Sequence, residues 1–333
     1  KRLEDCFDKP YRLEVLNLFD FDGCYDRPAA VRFMANHVPI SENGEIKSFS
    51  ELADEATGKK YIAAYKADVD NLGFLFMEGL AKDSGENRIS VSRITTLSRM
   101  LDMFFSGYIH HMLHLTYKNV YSVFSGGDDL FLIGPWDTVC DLSNAIRQDF
   151  ARYVCNNPHI TLSAGITLHK PGYPINRMAE ESEDALERAK KEVEKNLFTK
   201  LVPTGKNQVC FLDRVIPWER YRLLIQKAKK VEEYLLNAET TGVNRAKLGR
   251  LLDYHELQLS YIRDGNISAL RWIPMLLYDI SRNYRHTVEE FKQWVLSFRQ
   301  PGFTGNTDLL YLDIICRYAI LKTRMEGIKN AGL

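Results

Sequence analysis

The first third of the chain changes several times between the alternating pattern of strands and the three- and four-residue spacing of helices. Residues 11–22 alternate apolar and polar side chains, as a half-buried strand does, and residues 29–40 predict a second strand. A short helix is predicted over 49–56, before Gly58. Residues 1–58 are therefore predicted to form a small β-rich module or the tail of an upstream domain.

From Tyr61 onward, strand and helix patterns follow each other in a recognisable order. The predicted strands are 61–67, 120–124, 130–133, 160–168 and 208–212. The predicted helices are one after Gly73 and three at 89–116, 137–154 and 175–196, the longest of which has an apolar stripe on one face. This β-α-β-β-α-β order with additions predicts a ferredoxin-like palm over residues 59–213.

The predicted topology brings three carboxylates together. In a ferredoxin-like sheet the third strand lies between the first and the second and runs antiparallel to both. The end of the first strand therefore lies beside the beginning of the third. Asp68 ends the first predicted strand, and Asp128 and Asp129 begin the third.

After Pro217 the strand patterns stop. Five helical segments are predicted, near 217–237, 245–262, 266–283, 287–298 and 306–327. Residues 214–333 are therefore predicted to be a C-terminal helical domain. The predicted fold class is α+β, with a ferredoxin-like palm followed by an all-α bundle.

Clustered aspartates at strand ends are suited to a hard divalent cation. Mg²⁺ takes oxygen ligands, usually one or two carboxylates completed by water and substrate phosphates, and Mn²⁺ accepts the same ligands. Gly126 and Gly127 allow a tight turn and a close approach of the backbone to a phosphate. The alternative is that Gly-Gly-Asp-Asp over 126–129 is only a favourable hairpin turn. The pairing with Asp68 at the position that the topology predicts favours the metal site.

Further polar residues are weaker candidates. Asp70 shares the face of Asp68 by strand alternation, and its alternative role is an ion pair or support of another ligand. Lys190 is a candidate for phosphate contact or part of a solvated helix face. Ser163 is suited either to a hydrogen bond with a base or to a small-residue packing position, and Lys206 with Asn207 is a further candidate for phosphate or base contact.

Composition excludes several classes of protein. The 333 residues include no apolar run that approaches the length of a membrane span. The six cysteines are scattered without a Cys-x-x-Cys pair, which favours free thiols in a reducing cytoplasm over a zinc ribbon or a disulfide scaffold. The net charge of zero combines −6 over residues 1–213 with +6 over residues 214–333. The basic part is suited to contact with RNA or with subunits that carry RNA. The alternative is that it is an ordinary solvated surface.

The motifs together resemble the GGDEF nucleotidyl cyclase palm and, more closely, a second family. The likeness to the GGDEF palm is carried by Asp68-x-Asp70, Gly-Gly-Asp-Asp at 126–129, Ser163-Ala-Gly165 and Ala189-Lys190 followed by Gly205-Lys206-Asn207. The segments that match the second family are Phe49-x-Glu-Leu-Ala53, Lys66-Ala-Asp-Val-Asp-Asn-Leu-Gly73, Thr96-Leu-Ser-Arg99, Tyr121-Ser-Val-Phe-Ser-Gly-Gly-Asp-Asp129 and Trp136-Asp137. They resemble the large palm subunit of type III-A (Csm) CRISPR complexes, the Cas-ten family. The helical C-terminal part fits the C-terminal helical domain of that family.

This resemblance implies an activity and a set of site residues. The family's palm condenses ATP into cyclic oligoadenylate, using Mg²⁺ or Mn²⁺, when target RNA binds the complex during antiviral defence. The resemblance implies metal binding and catalysis by Asp68, Asp128 and Asp129, with the backbone carbonyl of Val69 as a further candidate ligand. The candidate nucleotide contacts are Ser125, Gly126, Gly127, Asp70, Asn71, Ser163, Lys190, Lys206 and Asn207. Its implied partners are other Csm-type subunits, CRISPR RNA and target RNA, without a membrane.

The chain departs from the full family pattern, and two other functions stay open. The HD nuclease and the first palm are not seen in the sequence, so single-strand DNase activity is not carried over, and the segment is expected to cyclise ATP poorly without a second palm. One alternative is a stand-alone GGDEF-type cyclic dinucleotide synthase that uses GTP. The other is a non-catalytic scaffold subunit of an RNA-guided complex.

Overall fold

The computed structural model describes residues 13–16, 29–32, 36–77, 90–191, 205–299 and 307–324. The strands in these ranges are β1 Leu13–Leu16, β2 Ala29–Arg32, β3 Ile62–Val69, β4 Tyr121–Gly126, β5 Asp129–Pro135, β6 Leu162–His169, β7 Gln208–Phe211 and β8 Arg214–Pro217. The α-helices are α1 Phe49–Glu55, α2 Leu72–Met77, α3 Val91–Asp102, α4 Ile109–Leu115, α5 Trp136–Tyr153, α6 Ile175–Lys191, α7 Trp218–Leu236, α8 Ala238–Thr241, α9 Arg245–Asp264, α10 Trp272–Asn283, α11 Glu289–Leu296 and α12 Leu312–Thr323. Short 3₁₀ segments precede α10 and α12 and follow α11.

Six of the strands form one sheet in the order β4-β5-β3-β6-β7-β8. Neighbouring strands are antiparallel except β6 and β7, which are parallel. The third strand of the predicted series, β5, lies between β4 and β3, as a ferredoxin-like topology requires. The predicted α+β fold class is confirmed. β1 and β2 form a separate parallel pair.

Helices cover both faces of the sheet because strand side chains alternate between the faces. On one face, Ile62 of β3 packs with Leu52 of α1 and Met178 of α6. On the other face, Tyr65 of β3 belongs to a large apolar cluster that includes Phe104 and extends into the C-terminal helices. The aspartate at the end of β3 therefore stands on a strand that is packed from both sides.

The helical part begins later than predicted and shares the palm's core. Residues 214–217 were predicted to open the helical domain, but they form β8, which pairs with β7 in the palm sheet. The first residue of the continuous helical region is Trp218, whose indole N–H donates to the carbonyl of Leu162 in β6 at 2.7 Å. One apolar cluster runs from β3 through α7 to α12, so the two parts are not separated by a solvated boundary.

The predicted helix over 89–116 contains an interruption. α3 ends at Asp102, a π-helix follows over Met103–Tyr108, and α4 continues to Leu115. The wider turn buries Phe104, Phe105 and Ser106 together on the palm side. Within the described parts of the chain, no helix has the length and apolar character needed to cross a bilayer.

No disulfide bond joins the cysteines that the structure describes, which are Cys140, Cys155, Cys210 and Cys316. Cys6 and Cys24 lie outside the described residues.

Candidate functional site

The carboxylates of Asp68 and Asp129 come from directly opposed positions on two central strands. In the register of β3 and β5, Asp68 pairs with Asp129, and directly opposed residues of antiparallel strands project from the same face. Asp128 precedes Asp129 in the hairpin turn, and its carbonyl accepts a 3.3 Å hydrogen bond from the backbone N–H of Val69. The meeting of strand ends that the topology predicted is therefore confirmed.

The turn between β4 and β5 is a two-residue hairpin loop. Gly126 pairs with Asp129, which leaves Gly127 and Asp128 at the tip. Gly127 has a φ of +66°, in the left-handed region that glycine adopts without a steric penalty. The hydroxyl of Ser125 points to the π-helix, where it donates a hydrogen bond to the carbonyl of Phe105.

Sequence reasoning did not identify Asp102, whose carboxylate binds the backbone of this turn. Asp102, the last residue of α3, accepts hydrogen bonds from the hydroxyl of Ser106 at 2.8 Å and from the backbone N–H of Gly127 at 3.5 Å. Ser106 also donates to the carbonyl of Ser125 at 3.3 Å. The π-helix thus fixes the glycine turn through polar contacts, a role for which the apolar stripe of the helix gave no signal.

Lys190 forms an ion pair with Asp68. Lys190 lies in the last turn of α6, and burial, followed by the nearby charge of Lys206, lowers its pKa. α6 reaches this position because it packs very closely on β6. A Cβ at Gly165 would lie 2.5 Å from the carbonyl oxygen of Ser182 and 2.6 Å from the backbone nitrogen of Leu186.

Asp129 lies in an environment that disfavours its charge. Burial is the main cause that raises the pKa of Asp129, and the neighbouring carboxylates of Glu183 and Asp128 raise it further. Lys66, which also forms an ion pair with Glu183, opposes this shift. Strand alternation could have identified Lys66 as a neighbour of the site, because Lys66 lies two positions before Asp68 on the same face of the strand. No sequence pattern indicated Glu183.

The carboxylates are of the kind that binds a cation, but they do not converge on one point. Among the described residues, no three His, Cys, Asp or Glu side chains converge closely enough to hold a metal ion. The carboxylate of Asp68 is paired with Lys190 instead. The donor set still fits a hard divalent cation, since a cation near Asp129 would offset the burial and the charge repulsion that raise the pKa of this carboxylate.

Asp70 and Ser163 are hydrogen-bonded to each other in the interior of the protein. Asp70 is 2% exposed and accepts hydrogen bonds from the hydroxyls of Thr161 and Ser163 and from the backbone N–H of Asn207, all between 2.7 and 2.9 Å. Ser163 is fully buried. In this arrangement neither side chain is offered to a nucleotide, and the network ties the end of β3 to β6 and to the segment before β7.

The two residues before β7 have different positions. The side-chain oxygen of Asn207 accepts two hydrogen bonds from the guanidinium of Arg147, at 3.0 and 2.7 Å, so this side chain is also bound within the protein. Lys206 is more open and contacts the side chain of Asn71. Lys206 and Asn71 line a cavity of about 850 Å³ next to α2. Of the candidate nucleotide contacts, these two and Lys190 are the side chains best placed to meet a ligand.

A family model matches the palm. Residues 61–199 match the model described as Cas10/Cmr2, second palm domain. This range contains Asp68, the glycine turn and Lys190, and ends before Lys206. The resemblance to the Cas-ten family that the motifs indicated is confirmed for this part of the chain.

Two curated relatives illustrate the similarity in sequence. Both carry the description CRISPR system single-strand-specific deoxyribonuclease Cas10/Csm1 (subtype III-A). The relative from Methanocaldococcus jannaschii is 40% identical over 189 residues, which is 48% of this chain and 23% of the relative. The relative from Mycobacterium tuberculosis is 28% identical over 84% of this chain and 34% of the relative. The chain therefore spans between about a quarter and a third of these relatives.

Solved structures share the fold over nearly the whole chain. A crystal structure of a Csm1–Csm4 cassette in complex with cA4 has a TM-score of 0.67 and 22% identity, and it covers 93% of this chain and 43% of that chain. Csm1 from T. onnurineus has the same TM-score and identity over 95% of this chain and 46% of its own. The likeness extends beyond the palm, so the helical C-terminal region shares the architecture of these proteins.

Proposed function

We propose that the chain, whose residues 61–199 match the Cas10/Cmr2 second palm domain, is part of a type III-A CRISPR effector large subunit that condenses ATP into cyclic oligoadenylate. The observation that carries the proposal is the opposed pair Asp68 and Asp129, with the ammonium of Lys190 beside it. A carboxylate pair and an adjacent cation are the groups that nucleotidyl transfer needs.

The proposed reaction forms one phosphodiester bond per step. A ribose 3′-hydroxyl oxygen attacks the α-phosphorus of ATP, the bond from that phosphorus to the pyrophosphate oxygen breaks, and the hydroxyl proton leaves to solvent. Asp68, Asp128 and Asp129 would hold Mg²⁺ or Mn²⁺, which would activate the hydroxyl and offset the charge of the leaving pyrophosphate. Lys190 and Lys206 neutralise phosphate charge, and positioning contributes much of the acceleration.

Gly126 supports the approach of a phosphate to the turn. The positive φ of Gly127 explains why a glycine is needed there, but Gly126 has no positive φ that would require one. A Cβ at Gly126 would meet the hydroxyl of Ser106 at 3.5 Å and a carboxylate oxygen of Asp102 at 4.0 Å, both ordinary contacts. A glycine that packing does not demand is consistent with a ligand that needs the backbone close.

Two of the similar structures motivate the choice of substrate and partners. One is a Csm1–Csm4 cassette in complex with cA4, and another is the same cassette in complex with one ATP. We therefore propose ATP as substrate and other Csm-type subunits, with CRISPR RNA and target RNA, as partners in the cytoplasm.

The test is ATP turnover by the complete effector complex, with and without matching target RNA. Cyclic oligoadenylate should form only with target RNA and should disappear on chromatography when Asp128 and Asp129 are both replaced by alanine. Incubation with each labelled triphosphate separates this function from a GTP-using synthase. A complex that binds neither nucleotide nor Mg²⁺ in calorimetry would instead have a scaffold palm.

A further inference from the structure

A second cationic cavity lies on the other side of Asn207, between α5 and α7. Its volume is about 460 Å³. It shares Asn157, Pro158, Thr161 and Asn207 with the cavity of Lys206 and Asn71, so the two cavities adjoin along one wall. No group of the proposed catalytic site lines it: Asp68, the glycine turn and Lys190 are all absent from its walls.

Two of the arginines that line the cavity, Arg147 and Arg222, form no salt bridge within 4 Å of a carboxylate among the described residues. Arg147 of α5 is half-buried, and its Nε and Nη2 atoms both donate to the neutral amide oxygen of Asn207. Burial lowers the pKa of Arg147, and the nearby carboxylates of Glu219 and Asp70 only partly oppose this shift. Arg222, on α7, is exposed at the opposite wall. A half-buried guanidinium bonded only to an amide is suited to an anion.

The other polar groups of the lining can donate hydrogen bonds to the oxygen atoms of an anion from several sides of the cavity. Asn144, Gln148, Asn156 and Asn157 contribute amide groups. Arg152 also lines the cavity, but it is paired with Asp149 at 3.1 Å. Among the described residues of the lining, Glu219 is the one carboxylate, against three guanidinium groups, so this part of the lining is net positive.

We propose that this α5–α7 cavity is a phosphate-binding site, separate from the catalytic palm, in which Arg147 and Arg222 contact the phosphate oxygens. A tetrahedral phosphate matches the cavity because two guanidinium groups and several amides approach from different walls. The phosphate belongs either to a free nucleotide or to the backbone of a single-stranded RNA. The site goes beyond the proposed function, since it requires no carboxylate, metal or turnover.

The test is calorimetric titration of the full chain with inorganic phosphate at low salt. Arg222→Gln removes an exposed charge without a packing role, and Arg147→Lys keeps the charge but loses the planar fork. Each should weaken phosphate binding by about tenfold, the effect of one charge-assisted hydrogen bond. Lys229→Gln is the matched control, because Lys229 lies on α7 but pairs with Asp141 outside the cavity. It should bind phosphate as the parent chain does.

Two further arms separate this site from the catalytic one and identify the source of the phosphate. Lys190→Gln should leave phosphate binding in the cavity intact, whereas a loss would place the phosphate at the palm and overturn the proposal. Displacement of phosphate by a single-stranded RNA assigns the site to an RNA backbone, and displacement by ATP in the Asp128→Ala chain assigns it to a nucleotide. The proposal is also overturned if the parent chain shows no saturable binding, if both arginine variants bind normally, or if neither competitor displaces phosphate.

Discussion

Lys190, in the last turn of α6, forms an ion pair with Asp68 at the end of β3. The ammonium group therefore contacts the carboxylate that the proposed function assigns to a divalent cation, and the same proposal assigns Lys190 to the charge of a triphosphate. Metal binding and lysine pairing at Asp68 compete, since both use the same carboxylate. Removal of the lysine should have opposite effects on metal alone and on nucleotide.

Lys190→Gln should bind Mg²⁺ more tightly in the absence of nucleotide and bind ATP more weakly. The first effect follows from release of the Asp68 carboxylate, and the second from loss of one charge-assisted contact to phosphate, about tenfold in affinity. Calorimetric titration of each ligand measures both. Lys191→Gln is the control, because Lys191 pairs with Glu187 on the same helix. Weaker metal binding in Lys190→Gln would contradict the competition.

Asp129→Asn should raise the thermal stability of the metal-free protein at about pH 7. The pKa of Asp129 is raised in the folded state, so its contribution to stability is present at acid pH and is lost as the pH rises through the folded value. Asparagine keeps the acceptor for the backbone N–H of Leu130, which Asp129 binds at 2.9 Å, but it carries no charge.

Melting curves between about pH 4 and pH 7 provide the measurement for Asp129→Asn. The gain should shrink as the pH falls, because the parent carboxyl group then becomes neutral as well. Asp213→Asn is the control, since the side chain of Asp213 is 98% exposed. An equal shift in both variants would mean that the effect reflects net charge rather than the environment of Asp129.

Asp70→Ala should destabilise the fold by about 3 kcal/mol, because it leaves buried donors on Thr161, Ser163 and Asn207 without their acceptor. Urea unfolding measures the loss, and Asp54→Ala, at an exposed position of α1, is the matched control. A stable Asp70→Ala protein with reduced ATP binding would instead support the direct nucleotide contact that the sequence suggested for Asp70.

The sequence predicted the contacts that depend on strand order and missed those that depend on packing. Asp68 and Asp129 were placed together because a β-α-β-β-α-β order fixes which strand ends are neighbours. The burial of Ser163 was left open, since alternation places a residue on a face but does not say what fills the space beside it. The pair of Lys190 with Asp68 also depends on how closely α6 approaches β6, which no local pattern records.

Gly165→Ala should test that approach directly. The added Cβ would lie 2.5 to 2.8 Å from backbone and side-chain atoms of Ser182, Ala185 and Leu186, so α6 must move away from β6. Overpacking of this kind costs about 1–3 kcal/mol. Because Lys190 is carried by α6, ATP affinity should fall together with the urea midpoint. Gly172→Ala, where a Cβ meets nothing within 4 Å, should change neither. If Gly165→Ala lost stability but kept full ATP affinity, the close packing of α6 would not position Lys190.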